Sequence, residues 1–334
     1  MKRLRYGLTV YGTTYGMGIH PQSGIKPITP IELMDITESY GLEGIEIPYP
    51  ILKEHDPDEV ADYARSKGMF VNIAASGYDP ESLKKALLLA KRVGAITVRT
   101  VVGGAKFGGD RRHMAGTWKP FLDQLLTSFQ AVTETAEQTG VNLAVENHQD
   151  LASEELLWLC ETIGSDRFGI NLDTGNPLAT AEEPNDFFCR VAPYVKNVHL
   201  KDYYLYWYEE GYRLVRSPLG QGVINFPELL RIISVAAPHV TMSVEHGALE
   251  ARNVRVLEED YWTEYPERSA RQLTRLLRFV HDHAKATGDW RTPFEKGELP
   301  AVIVAYEQSQ MNTALAYLKS LIREFRDHEN LVKS

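Results

Sequence analysis

Four side chains that can bind a metal stand at the ends of apolar runs. Glu146 lies in AVEN, Asp173 in NLDTGN, His199 in NVHLKD and Glu245 in MSVEHG, and the steps between them are 27, 26 and 46 residues. One strand-and-helix unit of a barrel takes about 31 residues. The first two steps therefore each advance by one strand, and the third by one strand plus an insertion, YYLYWYEEGYRLVR. The spacing predicts four successive strands that carry these residues to one rim.

This set of donors predicts a divalent cation. Three carboxylates that converge repel one another strongly unless a cation lies between them. Three carboxylates and one imidazole suit Mn²⁺, Mg²⁺ or Co²⁺ better than a metal that prefers thiolates. We expect one ion, Mn²⁺, Mg²⁺ or Co²⁺, bound by all four residues. Taken singly, each residue is more readily explained as an ordinary polar group at a strand end; the convergence of all four favours the metal.

The elements that position these residues alternate along the chain. Apolar runs predict strands over residues 5–10, 44–47, 70–75, 95–102, 141–147, 168–174, 195–202 and 239–247. Segments such as PIELMDITESYG and PESLKKALLLAKRVG lie between them, with apolar residues at three- and four-residue intervals, proline at the start and glycine at the end. Eight such units predict a (β/α)₈ TIM barrel. A doubly wound sheet is the alternative.

The last part of the chain is predicted to extend the barrel. A helix over residues 266–287 would be the eighth, which gives a barrel domain of residues 1–288. Residues 289–334 then form a C-terminal extension with one helix around residues 308–328. This extension is too short for a core of its own, so we expect it to pack on the barrel or on a partner subunit. The insertion is predicted to be a β-hairpin that turns at Glu210 and Gly211.

Composition narrows the class of protein. The chain has 334 residues, of which 43% are hydrophobic and 24% charged, and a net charge of −9. That charge disfavours binding to nucleic acid or to anionic lipid, and no apolar run has the ~18 to 20 residues of a membrane span. Cys160 and Cys189 fit neither a disulfide framework nor a zinc motif. We expect a soluble, cytoplasmic homo-oligomer.

Two residues near the predicted ligands are candidate catalytic groups. His148 lies two residues after Glu146, so it shares that residue's face if the strand continues. It is an acid–base or substrate-binding group, or a histidine of the rim. Lys201 has the same relation to His199 and can bind a substrate oxygen, with Asp202 to orient it; a solvated loop lysine is the alternative.

Further polar residues are candidates for binding the substrate. Glu46 ends the second strand and Arg99 lies within the fourth; a buried structural pair is the alternative for both. Residues 106–113, in the loop GGAKFGGDRRH, include Arg111 and Arg112 among four glycines. A mobile basic lid of this kind implies an anionic substrate, such as a sugar acid or sugar phosphate. A solvated charged loop is the other interpretation.

The motifs together resemble the xylose-isomerase-like TIM-barrel superfamily, which includes sugar isomerases, keto-sugar epimerases, inosose dehydratases and endonuclease IV. The resemblance covers roughly residues 5–285 and rests on AVENH, LDTGN, VHLKD, SVEHG and LGQGVINFPELL. It implies that the substrate is a small carbohydrate and that Glu146, Asp173, His199 and Glu245 hold one Mn²⁺-type ion. It also implies that Glu146 and Glu245 move protons on opposite faces of the substrate. Many epimerases have a histidine where this chain has Asn176.

The predicted chemistry leaves two main reactions open. A divalent ion chelated by a carbonyl and its neighbouring hydroxyl stabilises an enediolate. Reprotonation of that species makes a sugar isomerase or epimerase, which is the first hypothesis. If the enediolate instead forms by loss of CO₂ or of a leaving group, the enzyme is a lyase. It would then be a decarboxylase of a 3-oxo sugar acid such as 3-oxoisoapionate, or a 3-keto-glycoside lyase. A nuclease is disfavoured by the acidic charge, and a non-catalytic, metal-stabilised scaffold is a fourth possibility.

Overall fold

The computed structural model describes residues 4–247, 249–285 and 288–333. Eight parallel strands close into a barrel, in the order β1-β10-β7-β6-β5-β4-β3-β2. Its strands are β1 (Arg5–Thr9), β2 (Gly44–Pro48), β3 (Phe70–Ser76), β4 (Thr97–Val101), β5 (Asn142–Glu146), β6 (Phe168–Asp173), β7 (Val195–Leu200) and β10 (Thr241–Val244). Each lies within or beside a predicted strand. The closed barrel confirms the predicted fold and excludes the doubly wound sheet.

Helices surround the barrel and begin and end at the signals expected from the sequence. They are α1 (Pro30–Ser39), α2 (Tyr49–Leu52), α3 (Pro57–Ser66), α4 (Pro80–Val93), α5 (Trp118–Thr139), α6 (Ser153–Ile163), α7 (Pro184–Val191), α8 (Phe226–Ala236), α9 (Ala270–His283) and α10 (Pro300–Lys333). Thr29 and Glu32 form a capping box at the start of α1. Gly94 and Gly140, both left-handed, end α4 and α5.

A second, smaller sheet carries its own hydrophobic cluster. It consists of β8 (Asp202–Tyr208), β9 (Gly211–Ser217), β11 (Arg252–Val254) and β12 (Ala284–Lys285), in the order β11-β9-β8-β12. Strands β8 and β9 are the predicted hairpin, but Tyr208 pairs with Gly211, so the turn is formed by residues 209 and 210. Tyr203, Leu205 and Leu214 of this sheet pack with Leu276 and Val280 of α9. The long insertion thus has a partner that the sequence periodicity did not reveal.

The helix within the residues predicted for the eighth helix does not pack on the barrel strands. Helix α9 lies within the predicted residues 266–287, yet it packs on the second sheet rather than on the barrel strands. Helix α10 instead contributes Met311, Leu315 and Leu318 to the hydrophobic core of the barrel. Its Gln308 side chain donates to the Tyr40 hydroxyl at 3.0 Å, beside the end of α1. The C-terminal helix is thus longer than predicted and packs on the barrel itself. Within the described ranges, no helix has the length and apolarity that a membrane span requires.

A buried carboxyl group on α10 gives the protein a pH-dependent stability. Glu307 is buried and accepts hydrogen bonds from the backbone N–H groups of Tyr15 at 2.9 Å and Gly16 at 3.0 Å. Burial raises the pKa of Glu307 to about 7, against the opposing effect of these bonds. Because the folded-state pKa is the higher one, its contribution to stability is fully present below pH ~4.5 and is lost as the pH rises through about 7.

We therefore expect Glu307→Gln to become more stable than the wild type as the pH rises. Glutamine keeps an acceptor oxygen for the two N–H groups but carries no charge to bury. The difference in the free energy of unfolding should be small at pH 5 and reach up to about 3 kcal/mol at pH 8. Urea denaturation at both pH values measures it. A difference that does not change with pH would show that Glu307 keeps an ordinary pKa.

Candidate metal centre

The structure brings the four predicted ligands together at the carboxyl ends of adjacent strands. Glu146 ends β5, Asp173 ends β6, His199 lies in β7 and Glu245 directly follows β10. Asp173 pairs in register with His199, and His199 with Ser243, two residues before Glu245. One potential ligand atom from each residue lies within 4.8 Å of those of the other three, and all four residues are buried. The spacing in the sequence thus corresponds to one compact cluster.

Unsatisfied atoms in this cluster fit a metal ion. Oε1 of Glu146 and Nδ1 of His199 are buried without a hydrogen-bond partner among the described residues. Nδ1 lies 2.8 Å from Oε2 of Glu245 and 3.4 Å from Oε2 of Glu146, without hydrogen-bond geometry. Buried polar atoms left unpaired are costly. A cation bound between the imidazole nitrogen and Oε2 of the two glutamates would satisfy Nδ1 and leave Oε1 of Glu146 free, so the residues present fit a divalent ion.

The charges around the cluster keep two of its carboxylates ionised. Burial raises the pKa of Glu146, but Arg99 and His199 outweigh burial and lower that pKa to about 2. For Glu245, burial is opposed by Lys201 and His199, which hold its pKa well below the usual value. Burial raises the pKa of Asp173, against the nearby Lys201. Glu146 and Glu245 are therefore carboxylates at neutral pH, the form in which a glutamate binds a metal.

Glu46 and Arg99 contact the ligands of the cluster, and their predicted role in binding substrate stays a prediction. Oε2 of Glu46 lies 2.9 Å from Nε2 of His199, the imidazole nitrogen that faces away from Glu146 and Glu245. Arg99 donates from Nε to Glu46 at 3.3 Å and lies 3.5 Å from Oε2 of Glu146. Both residues are buried. A carboxylate on the second nitrogen of a histidine fixes the ring's orientation and tautomer for metal binding.

The Lys201 ammonium contacts two carboxylates of the cluster, whereas Asp202 does not orient Lys201. The buried Lys201 ammonium contacts Oδ2 of Asp173 and lies 2.5 Å from Oε1 of Glu245. Asp202 instead accepts backbone N–H groups, including those of Gly222 at 3.0 Å and Val223 at 2.8 Å. It therefore fixes the segment between the hairpin and α8. Burial lowers the pKa of His148, the other predicted catalytic residue, to about 4, so this imidazole is neutral at pH 7.

The glycine-rich loop after β4 is anchored through Arg111, whose predicted role in substrate binding stays a prediction. The Arg111 guanidinium is fully buried between the rings of Trp118 and Tyr265, 3.9 Å from each centroid. It forms two hydrogen bonds with the Glu155 carboxylate, at 3.0 and 2.6 Å, and donates to the backbone oxygen of Asp150 at 2.5 Å. These partners leave it fixed in the rim. The predicted role of Arg112 in binding substrate stays a prediction, since its half-exposed guanidinium pairs with Asp110 and Asp260.

We expect Arg111→Met to destabilise the fold rather than to weaken substrate binding alone. Removing one partner of a buried ion pair costs about 3–5 kcal/mol, because the Glu155 carboxylate is left without its cation. Arg112→Met is the matched control, and loss of its exposed ion pairs should cost at most about 1 kcal/mol. Guanidinium chloride denaturation measures both. Equal stability of the two variants would contradict the anchoring role of Arg111.

Several polar residues around the centre were missed in the sequence. Asn171 donates to Oε2 of Glu146 at 3.3 Å, and Asn197 donates to Oε2 of Glu46 at 3.2 Å and to Oδ1 of Asn171 at 2.7 Å. Asn171 and Asn197 each stand two residues before a ligand, and side chains two apart on a strand share a face. That period of two was the signal that could have identified them. Arg216 lies on the hairpin and not two residues before a ligand, so this signal could not have identified it.

The chain matches the model of a known protein family. The model of the xylose isomerase-like TIM-barrel family matches residues 34–259. The chain belongs to the xylose isomerase-like TIM-barrel family. The match covers β2 to β10, including the four residues of the metal centre. The resemblance drawn from the sequence motifs is thereby confirmed.

Relatives within and around this family differ in what they do. The chain is 25% identical over 224 residues to the uncharacterized protein YihM of Escherichia coli (strain K12), which covers 65% of this chain and 66% of that protein, just under two thirds of its length. It is 26% identical over 204 residues to 3-oxo-isoapionate decarboxylase of Pectobacterium atrosepticum, which covers 59% of this chain and 70% of that protein. A solved L-ribulose 3-epimerase has a TM-score of 0.63 at 16% identity, over 99% of this chain and 98% of that chain. That likeness shows the fold.

Proposed function

We propose that this protein is a divalent-metal-dependent enzyme that isomerises or epimerises a keto sugar or sugar-acid derivative. The observation that carries the proposal is the buried cluster of Glu146, Asp173, His199 and Glu245. In it, a carboxylate oxygen of each glutamate lies close to Nδ1 of His199, at 3.4 Å for Glu146 and 2.8 Å for Glu245. Family membership supports a sugar as the substrate. The oxygen-rich donor set favours Mn²⁺, with Mg²⁺ or Co²⁺ as substitutes. An IOLI protein of the same fold, solved with zinc, makes Zn²⁺ a further ion to test.

The proposed reaction assigns separate roles to Glu146, Glu245 and Glu46. Glu146, Asp173, His199 and Glu245 would hold a divalent ion, which would supply Lewis-acid chemistry that makes a C–H next to the substrate carbonyl more acidic. Glu146 keeps Oε1 without a hydrogen-bond partner among the described residues, so it is the group proposed to remove that proton. Glu245 returns a proton from the other side in an epimerisation. Glu46 holds the ring of His199 in place.

Decarboxylation is the second candidate, and two observations favour it. One is the 26% identity to 3-oxo-isoapionate decarboxylase. The other is the position of Lys201, whose ammonium lies 2.5 Å from Oε1 of Glu245 while His199 lies 2.8 Å from Oε2. A glutamate that contacts the Lys201 ammonium is a poor second base, and a decarboxylase needs only one proton donor. Lys201 would supply that proton, because the imidazole of His148 is neutral at pH 7.

The masses of the products distinguish the two reactions. Protein loaded with Mn²⁺, Mg²⁺, Co²⁺ or Zn²⁺ is incubated with a panel of keto sugars and 3-oxo sugar acids, and the products are analysed by mass spectrometry. A product of unchanged mass supports the isomerase or epimerase, and loss of CO₂ replaces it with the decarboxylase. Absence of both products with every metal would count against an enzyme of this class. The metal that gives the highest turnover identifies the ion.

A further inference from the structure

Two buried arginines lie on one face of the second sheet, beside the metal centre. Arg252 of β11 pairs in register with Leu214 of β9, and Arg216 is two residues further along β9 on the same face. Such diagonal neighbours are about 7–8 Å apart at the backbone, within reach of long side chains. Each arginine is only 7% exposed. Tyr203 is paired with Arg216 across the hairpin and lies under its guanidinium.

Neither arginine has enough acceptors among the described residues. Nε of Arg216 and Nε of Arg252 are both buried without a hydrogen-bond partner. Arg216 donates from Nη1 to the backbone oxygen of His246 at 2.9 Å, and its carboxylate contact, with Oε1 of Glu245, is 4.0 Å long. Arg252 pairs with Glu250 at 3.1 Å and stacks on the ring of Phe107. Buried donors left unpaired cost about 1–3 kcal/mol each, so these nitrogens indicate an acceptor that a bound molecule supplies.

The charge around the centre points to an anion. The charged groups in contact there are the carboxylates of Glu46, Glu146, Asp173, Glu245 and Glu250 and the cations of Arg99, Lys201, Arg216 and Arg252. With a divalent ion bound and His199 neutral, the four cations and the ion carry six positive charges. The five carboxylates carry five negative charges, so the site has one positive charge in excess. The metal also takes up the charge of Glu245, the carboxylate in contact with Arg216. One monoanion would restore neutrality in a buried site, where uncompensated charge is expensive.

We propose that Arg216 and Arg252 form a carboxylate-binding subsite next to Glu245, and that the substrate is therefore a sugar acid. The planar guanidinium matches a carboxylate with two parallel hydrogen bonds. A phosphate ester is disfavoured, because its second negative charge would exceed the single positive charge available. This inference rests on the proposed metal-dependent sugar enzyme and specifies its substrate class. It also moves anion recognition from the predicted loop arginines to the second sheet.

Binding of matched sugar acids and alditols tests the subsite. Calorimetry with Mn²⁺-loaded protein compares aldonates of three to six carbons with the alditols of the same configuration, which carry a hydroxymethyl group in place of the carboxylate. We expect at least one aldonate to bind about tenfold or more tightly than its alditol. Arg216→Gln and Arg252→Gln should each remove most of that preference, because they weaken aldonate binding far more than alditol binding. Arg213→Gln is the matched control, since Arg213 is on β9 but on the opposite face of the sheet.

Each outcome decides the proposal. The absence of any preference for aldonates, or a preference that both Arg216→Gln and Arg252→Gln retain, overturns it. Tighter binding of sugar phosphates than of aldonates, lost in the same variants, overturns the assignment to a carboxylate. Melting curves identify a variant that fails to fold, and Arg216→Lys, which keeps the charge without the fork, should then show a partial loss. Metal content is measured separately: protein that binds no metal contradicts the proposed function, and the aldonate preference is then measured without metal.

Discussion

Replacing Glu146 with glutamine should slow turnover by about 10²- to 10⁴-fold without removing the metal, because the variant loses a general base but keeps an oxygen that can bind the ion. Oε1 of Glu146 has no hydrogen-bond partner among the described residues, and this atom is the one proposed to take the substrate proton. Steady-state rates on the substrate found in the panel, with metal content measured in the same samples, check the result. Unchanged turnover in metal-loaded Glu146→Gln would exclude Glu146 as the base.

The companion variant Glu245→Gln separates the two reactions. In an epimerase both glutamates act on protons, so each metal-loaded variant should exchange the substrate C–H with solvent deuterium from one face but not turn over. In a decarboxylase the wild type exchanges no substrate C–H while CO₂ is released. Glu161→Gln, an exposed glutamate of α6, is the control for loss of one carboxylate and should behave as the wild type.

Replacing Lys201 with methionine should destabilise the metal-free protein by about 3–5 kcal/mol, because two buried carboxylates lose their shared cation. The ammonium contacts Asp173 and Glu245, which are also metal ligands. A divalent ion would compensate for the lost charge, so the loss of stability should be much smaller with Mn²⁺ bound. For the same reason the variant should bind Mn²⁺ more tightly than the wild type, since a competing cation has been removed.

Urea denaturation with a chelator and with Mn²⁺ measures this effect. Lys196→Met, on the same strand β7 but half-exposed, is the matched control and should change stability little in either condition. A loss of stability that is equal with and without the metal would contradict the idea that the Lys201 ammonium and the ion share the same carboxylates.

The sequence predicted the strand ends well because each ligand follows a buried apolar run. Once eight runs were counted as barrel strands, Glu146, Asp173, His199 and Glu245 had to meet at one rim, and they do. The partners of Glu46 and Arg99 could not be predicted, since they join residues up to 153 positions apart. Their polar side chains in buried strands were as consistent with substrate binding as with support of His199.

The errors outside the barrel have a different cause. Helices α9 and α10 both have an apolar face, and periodicity does not tell which surface such a face covers. Helix α9 packs on the second sheet because the hairpin adds an apolar face there, whereas Met311 and Leu318 of α10 complete the barrel core. Arg111 was predicted to be mobile because glycines surround it. In the fold, Glu155, Trp118 and Tyr265 enclose it, and their distance along the chain hid that contact.

The metal content of purified protein tests the centre most directly. After removal of endogenous metal, the wild type is loaded with Mn²⁺, freed of excess ion and analysed by mass spectrometry of the metal, alongside alanine variants of Glu146, Asp173, His199 and Glu245. We expect one Mn²⁺ per chain in the wild type and a large loss in the variants, greatest for His199→Ala, which removes the only nitrogen donor of the cluster. Full retention of the metal by all four variants would contradict a metal centre formed by these residues.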